Sequence, residues 1–246
     1  MDFGRSGGPV KVAEHLTPWT EDPASFSSAQ LTRLALMARI AQQLTSRDAL
    51  GLTLKGGTAL VFGYGMPRYS TDLDFDGKDP SVETVTAISE AVTKAGLTNP
   101  AVNIKKDTQT TRRHMVHHPD IGVDPLKIEI SYRRADQVSM DTKTINGIRV
   151  YDLAALAHLK TLAFLGRAVG RDVWDIGYLL RQHGSLIADN DLQLVAGRLS
   201  ELGLDYLASL VAEDDLLSSS DAEHVVLSLS ENLYDLLSKR GLAPTA

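Results

Sequence analysis

Residues 54–75 read Leu54-Lys55-Gly56-Gly57-Thr58-Ala59-Leu60-Val61-Phe62-Gly63-Tyr64-Gly65-Met66-Pro67-Arg68-Tyr69-Ser70-Thr71-Asp72-Leu73-Asp74-Phe75. Two features inside this stretch decide what surrounds it. The first is the strict alternation of Asp72-Leu73-Asp74-Phe75-Asp76, ended by Gly77. In an extended strand, residues two apart share a face, so Asp72, Asp74 and Asp76 project together while Leu73 and Phe75 enter a core. Carboxylates stacked so closely repel unless water screens them or a hard cation sits between them, and oxygen ligands of this type suit Mg²⁺ or Mn²⁺. Taken alone, the acids also fit the solvent face of a strand.

The second feature is the glycine pair. Gly56 and Gly57 let the backbone approach a ligand closely, and Thr58 at a helix start adds a hydroxyl and free amide donors aimed at an anion. Leu52-Thr53-Leu54 before them is a short strand candidate, and Ala59-Leu60-Val61-Phe62 after them opens a short helix. Strand, Gly-Gly-Thr turn, short helix and acidic strand together predict a phosphate cradle facing a metal site. The turn is not a Walker A loop, because Lys55 precedes the glycines and no Gly-Lys-Ser/Thr follows, and the chain has no Gly-x-Gly-x-x-Gly fingerprint.

Outward from this centre, the apolar residues Leu31, Leu34, Ala35, Ala38, Ile40, Ala41 and Leu44 predict a helix from Ser27 or Ser28 to about Thr45. Residues 1–26 mix Gly, Pro and Ser without periodicity and read as an extended lead-in. Asp79-Pro80-Ser81 predicts the start of a second helix, whose stripe Val82, Val85, Ile88, Ala91 and Val92 ends near Gly96. Strands are expected at 101–106, 111–117, 126–132 and 143–150. Within Leu126-Lys127-Ile128-Glu129-Ile130-Ser131-Tyr132, Ile128 and Ile130 share one face, and Lys127, Glu129 and Ser131 the other. Helical patterns then fill 151–166, 171–183, 189–212 in one or two pieces, and 221–240. The fold class is therefore α+β, with a mixed sheet and helices over 1–150 and a helical domain over 151–246.

At 246 residues with 43% hydrophobic and 23% charged side chains, the chain is long and apolar enough to build real cores, which excludes disorder as its main state. Cysteine is absent, which excludes a disulfide framework, a thiolate nucleophile and any metal site built on thiolates, and fits a cytoplasmic protein. The N-terminus shows no apolar signal region and no stretch runs 18 apolar residues without a charge, so neither secretion nor membrane association is expected. A net charge of −6 argues against a surface that coats DNA. The charge is uneven, however. Residues 101–150 carry nine Lys or Arg against six acids, or +3, whereas 201–246 carry nine acids against two bases, or −7. The middle of the chain thus suits phosphates better than its C-terminal part, which reads as a solvated acidic face or a contact for a basic partner.

The run from Leu54 to Phe75 resembles the first motif of the DNA polymerase β nucleotidyltransferase superfamily, a Gly-Gly/Ser-Thr turn followed after a short helix by Asp-x-Asp. More narrowly, Lys55-Gly56-Gly57-Thr58-Ala59-Leu60 with Arg68-x-Ser70-x-Asp72-x-Asp74 resembles the AbiEii/MenT toxins of bacterial toxin–antitoxin and phage-abortive systems. In the helical half, Lys160, Arg167 and Arg171-Asp172-Val173-Trp174-Asp175-Ile176 are similar to that family's lysine and Arg-Asp-x-x-Asp motifs.

The resemblance implies that Asp72 and Asp74 hold divalent metals, Mg²⁺ or Mn²⁺, that Lys55, Gly56, Gly57 and Thr58 serve the NTP phosphates, and that Ser70 sits by the active site. It implies a third carboxylate too, for which Glu129 on its polar strand face is the candidate. Lys160 lies among apolar helix neighbours, so its ammonium must reach an anion, such as a triphosphate. Asp172 is the candidate functional acid and Asp175 the structural one. Arg68 has two open roles, pairing with the acidic strand or binding a phosphate. The bases Lys105, Lys106, Arg112, Arg113, Arg133 and Arg134 suit an approach for an RNA end, although scattered solvated bases look the same. His114, His117 and His118 read as surface residues.

The implied function is a toxin that moves a nucleoside monophosphate from an NTP onto an acceptor hydroxyl, with the tRNA 3′ end as acceptor, a block of translation as outcome and a cognate antitoxin as partner. A nucleotidyltransferase of small molecules, of the antibiotic-modifying kind, and a non-catalytic nucleotide-binding module are the rival readings.

Overall fold

The computed structural model describes residues 26–134, 141–217 and 221–243. Except for Phe26, the lead-in expected over 1–26 lies outside the described residues. Helix α1 (Ser28–Thr45) begins at Ser27, whose hydroxyl accepts from the Gln30 amide while the Gln30 side chain accepts from the Ser27 amide. This reciprocal cap satisfies two donors the helix cannot bond internally. Its inner face, Leu34, Met37, Ile40, Ala41 and Leu44, is buried.

Seven strands form one sheet in the order β3-β4-β5-β2-β1-β7-β6. They are β1 (Thr53–Lys55), β2 (Leu73–Asp76), β3 (Ala101–Thr108), β4 (Thr111–His117), β5 (Leu126–Ser131), β6 (Thr142–Ile145) and β7 (Ile148–Tyr151). The short central strand β2 runs antiparallel to β1 and parallel to β5, so the sheet is mixed. Its alternate residues Leu73 and Phe75 are fully buried, as are Ile128 and Ile130 on β5. Their apolar face fixes the register, because a slip of one residue would put the acids into the core.

Two expectations are corrected here. The segment 143–150 is two strands, not one. Asn146 and Gly147 both take positive φ, 51° and 76°, and make the tight hairpin that an Asn-Gly pair favours. The helix expected from Asp79-Pro80-Ser81 starts later, as α3 (Val85–Lys94). Asp79 instead accepts from the Ser81 amide at 2.7 Å, and Glu83 takes the free amide of Thr86 at 3.0 Å. Local side-chain bonds hold a turn where the sequence offered a helix start.

Helix α2 (Gly56–Tyr64) follows β1 without a loop and packs on β1, β2 and β7. Five helices come after the sheet: α4 (Leu153–Gly166), α5 (Gly170–His183), α6 (Asp189–Leu202), α7 (Leu204–Ala212) and α8 (Ala222–Lys239). The 189–212 pattern is thus two helices, broken at Gly203, where φ is +77°. α5 packs on α4, α7 and α8, while α4 also contacts α2, which sets the first helix of this group beside the helix that packs on the acidic strand β2. No described helix is long and apolar enough to cross a membrane.

Candidate active site

The register of the sheet builds the site. Asp74 pairs with Lys55 on β1 and Glu129 on β5, and Glu129 pairs with Arg113 on β4. Directly opposed residues of neighbouring strands share a face, so Arg113, Glu129, Asp74 and Lys55 form one row across four strands. They line a cleft of about 510 Å³ whose opposite wall is α4, through Leu156, Leu159, Lys160 and Ala163.

The cleft is positive although the protein is acidic. Among the described residues, its lining holds seven cations (Lys55, Arg113, Lys127, Arg133, Arg134, Lys160 and Arg167) against three carboxylates (Asp74, Asp76 and Glu129), an excess of four. Low-dielectric walls lined by one sign of charge concentrate ligands of the other sign. A polyanion is the ligand this surface attracts.

The carboxylates differ in how well they are compensated. Asp76 is fully buried and accepts from Lys55 Nζ and, at 3.0 Å, from the Tyr151 hydroxyl. Asp72 Oδ2 lies 2.7 Å from Lys127 Nζ, and Glu129 is held at 2.7 Å by Arg113. Asp74 has no such bond among the described residues. Burial pushes its carboxyl above the usual carboxylate range, and the charges of Asp72 and Glu129 push it further, against the pull of Lys127 and Lys55. Asp74 is thus a carboxylate raised by burial, with no bonded cation, at the floor of the cleft.

A divalent cation fits that deficit. Among the described residues no three His, Asp or Glu side chains are arranged to enclose an ion. A closed cage is not what Mg²⁺ needs, since it is commonly held by one or two carboxylates together with waters and substrate phosphates. Asp74, with Asp72 and Glu129 beside it, supplies hard oxygen donors of the right type.

Behind the cleft floor lies a second layer. Gly56 has φ +75°, and a Cβ there would stand 3.3 Å from Asp74 Oδ2, so glycine lets the first turn of α2 sit against the acid. A Cβ on Gly57 would fall 2.6 Å from Arg68 Nη2. The Arg68 guanidinium therefore packs under Gly57 and forms a two-pronged bond to Asp175, at 2.7 and 3.0 Å. Thr58 Oγ1 lies 2.7 Å from Ser70 Oγ and donates to the Asp72 carbonyl. The turn, the arginine and the acidic strand are thus tied to one another.

Of the residues singled out in the sequence, Lys55, Gly56, Asp74, Glu129, Lys160 and Arg167 line the cleft, as do the bases Arg113, Arg133 and Arg134. Gly57, Thr58, Ser70 and Arg68 lie in the supporting layer. Arg68 does not pair with a carboxylate of the acidic strand: its guanidinium is buried against Asp175 on α5 and does not line the cleft. Lys160 reaches carboxylates of its own protein, Asp175 at 2.5 Å and Asp172 at 3.4 Å. Asp172 is buried and also receives Arg167 Nε at 2.8 Å. It holds two cations that face the cleft and does not line it. Burial would raise Asp175, yet Arg68 and Lys160 hold it below the usual carboxylate range.

Two further corrections concern the bases and histidines. Arg112 bonds Asp107 and the carbonyls of Pro80 and Val82 and covers the Tyr132 ring, so it braces the sheet and is not open to an RNA end. His114 is fully buried, with Nε2 3.0 Å from Thr84 Oγ1, and burial lowers its basicity. Lys127 was missed as a site residue, although its alternation with Glu129 along β5 was the available signal.

Comparison with known proteins identifies the class this fold and cleft define, a nucleotidyltransferase. A Helicobacter pylori protein provisionally described as a nucleotidyltransferase is 28% identical, with a TM-score of 0.74 over 87% of this chain and 97% of that one. JHP933 of Helicobacter pylori is 30% identical, with a TM-score of 0.71 over 87% of this chain and 94% of that one. The family model of the nucleotidyl transferase AbiEii toxin, Type IV toxin–antitoxin system, matches residues 36–224. The chain belongs to that family. The MenT4 nucleotidyltransferase toxin of Mycobacterium tuberculosis is a looser likeness, 16% identical over 92% of this chain and 97% of that one, with a TM-score of 0.48. No protein with a curated description matches.

Proposed function

We propose that this toxin transfers a nucleoside monophosphate from an NTP to the 3′ end of an RNA, with tRNA as acceptor, in a reaction that requires Mg²⁺ or Mn²⁺. The observation that carries this reading is the undercompensated Asp74, set between Asp72 and Glu129 at the start of α2, in a cleft with an excess of four positive charges.

Asp74 and Asp72, with Glu129, would hold a divalent cation, which would supply neutralisation of charge on the phosphates and so lower the cost of in-line attack. The chain's own residues supply the rest. Gly56 brings the first amides of α2 toward the phosphates, where the positive end of the helix dipole favours an anion. Lys160 and Arg167, each braced by Asp172, offer cations to the triphosphate from the α4 side. The acceptor oxygen forms a bond to the α-phosphorus as the bond from that phosphorus to the bridging oxygen breaks. Pyrophosphate leaves, and the proton of the acceptor hydroxyl is lost. A tRNA closed at its 3′ end cannot be charged, which stops translation, and the family's Type IV system supplies an antitoxin that opposes this outcome.

The test is direct. Purified protein, Mg²⁺, each of the four labelled NTPs in turn and total tRNA should give labelled tRNA with at least one NTP, and no label after removal of the metal. Absence of label with all four would contradict the proposal.

A further inference from the structure

The helix that walls the cleft carries a second polar group away from the carboxylates. His158 lies on α4 two residues before Lys160, and its side chain is 51% exposed. Its Nδ1 stands 3.0 and 3.1 Å from the two carboxylate oxygens of Asp191. Asp191 sits in the first turn of α6 and is only 3% exposed. Among the described residues, the imidazole is the side chain bonded to it. A buried carboxylate on one ring nitrogen fixes the ring's orientation and makes Nδ1 the donor, leaving Nε2 for an outside partner.

A pocket of about 320 Å³ lies over this ring, at the lower end of the size range of ligand sites. It shares Arg134 and Leu159 with the main cleft, so the two hollows adjoin along α4. Leu159 and Arg134, common to both hollows, lie between a reacting end placed by Asp74 and Lys160 and the ring of His158. The pocket's acids, Asp141 and Asp152, oppose a second phosphate there, and Asp152 already accepts from the Ala155 amide as the cap of α4.

Resting on the reading of the acceptor as RNA, we infer that His158, Asp191 and Arg134 form a subsite for the nucleotide just upstream of the acceptor's reacting end. Arg134 takes the phosphate of that nucleotide, and His158 Nε2 bonds its ribose 2′-hydroxyl. A 2′-hydroxyl both donates and accepts, so it satisfies the imidazole whether neutral or charged, and it is the group that separates RNA from DNA at such a position. His158 is a specificity residue here, and Asp191 positions it.

The experiment measures transfer by the full chain, with Mg²⁺ and NTP, onto the RNA that the wild type labels and onto the same RNA carrying a single 2′-deoxy substitution at the penultimate or the preceding nucleotide. For the wild type, one of these substitutions should raise the KM for RNA about fivefold, the size of one lost hydrogen bond. His158→Ala should raise the KM for the all-ribose RNA by a similar factor, show no further penalty on the deoxy RNA, and leave the KM for NTP at the wild-type value. Asp191→Asn should move the RNA KM in the same direction by a smaller factor. Melting temperatures, with His158→Gln as a second variant, separate these effects from a folding defect.

If His158→Ala and His158→Gln handle both RNAs as the wild type does, or if the losses from the variant and the deoxy substitution multiply, the subsite is wrong while the RNA reading stands. If the wild type labels no RNA at all, the RNA reading fails and the subsite falls with it.

Discussion

Two groups of carboxylates lie close together in this protein, and they are treated in opposite ways. Asp172 and Asp175 on α5 are buried and face three cations, Arg68, Lys160 and Arg167. Asp74 and Glu129 on the sheet and Asp72 just before β2 share Lys127 and Arg113, and Asp74 is left with a carboxyl that burial makes costly to ionise. The first group is complete within the chain and acts as a tie between the glycine turn and the helical part. The second is incomplete, and an incomplete charge balance kept in a cleft marks where a ligand belongs. Residue type alone does not distinguish the two; the partners do.

The largest effect that would sharpen this contrast is on activity. Asp74→Asn should lower kcat/KM about a thousandfold, roughly 4 kcal/mol of transition-state stabilisation, in the labelled-NTP assay. Next comes stability. Arg68→Ala leaves Asp175 buried without its two-pronged partner and should cost about 3–5 kcal/mol in chemical denaturation. A loss below 1 kcal/mol would mean that Arg68 is not the tie described here. Gly57→Ala places a methyl group against the Arg68 guanidinium and should cost about 1–3 kcal/mol, as overpacking does. Its activity should fall as well, because the same arginine supports the turn.

The smallest effect is on acid sensitivity. The folded-state carboxyl of Asp175 is held below its ordinary value of 3.8, so its contribution is present in full above that value and is lost as pH falls through the depressed one. In melts against pH, the stability advantage of the wild type over Asp175→Asn should therefore be constant near neutrality and narrow below pH 3.8. An advantage that narrows at higher pH would contradict the assignment.

Much of the sheet side of this contrast was legible in the sequence. Strict alternation placed Asp74 and Glu129 on the polar face of their strands, and Gly56-Gly57-Thr58 marked the turn between β1 and α2. Periodicity is local, and local signals suffice for such features. The pairing of Asp74 with Glu129 was not legible, because register between residues 55 positions apart depends on the whole core. Nor was the partner of Arg68, which lies 107 residues away on α5. The pattern gave His114 no partner to bury it with; Thr84, 30 residues back, is what receives it. The hairpin at Asn146-Gly147 is a different case, since its dipeptide is a strong turn signal set between two short stretches, Lys143-Thr144-Ile145 and Ile148-Arg149-Val150, that read together as one strand.

Thermal melting of the wild type and Asp74→Asn, each with chelator and with saturating Mn²⁺, tests the central claim most directly. Without metal, Asp74→Asn should melt above the wild type, since the amide removes a partly buried charge with no bonded cation. Mn²⁺ should raise the melting temperature of the wild type and leave that of the variant where it was, as a ligand bound only to the folded wild type must. Equal shifts in the two proteins, or none in the wild type, would contradict it.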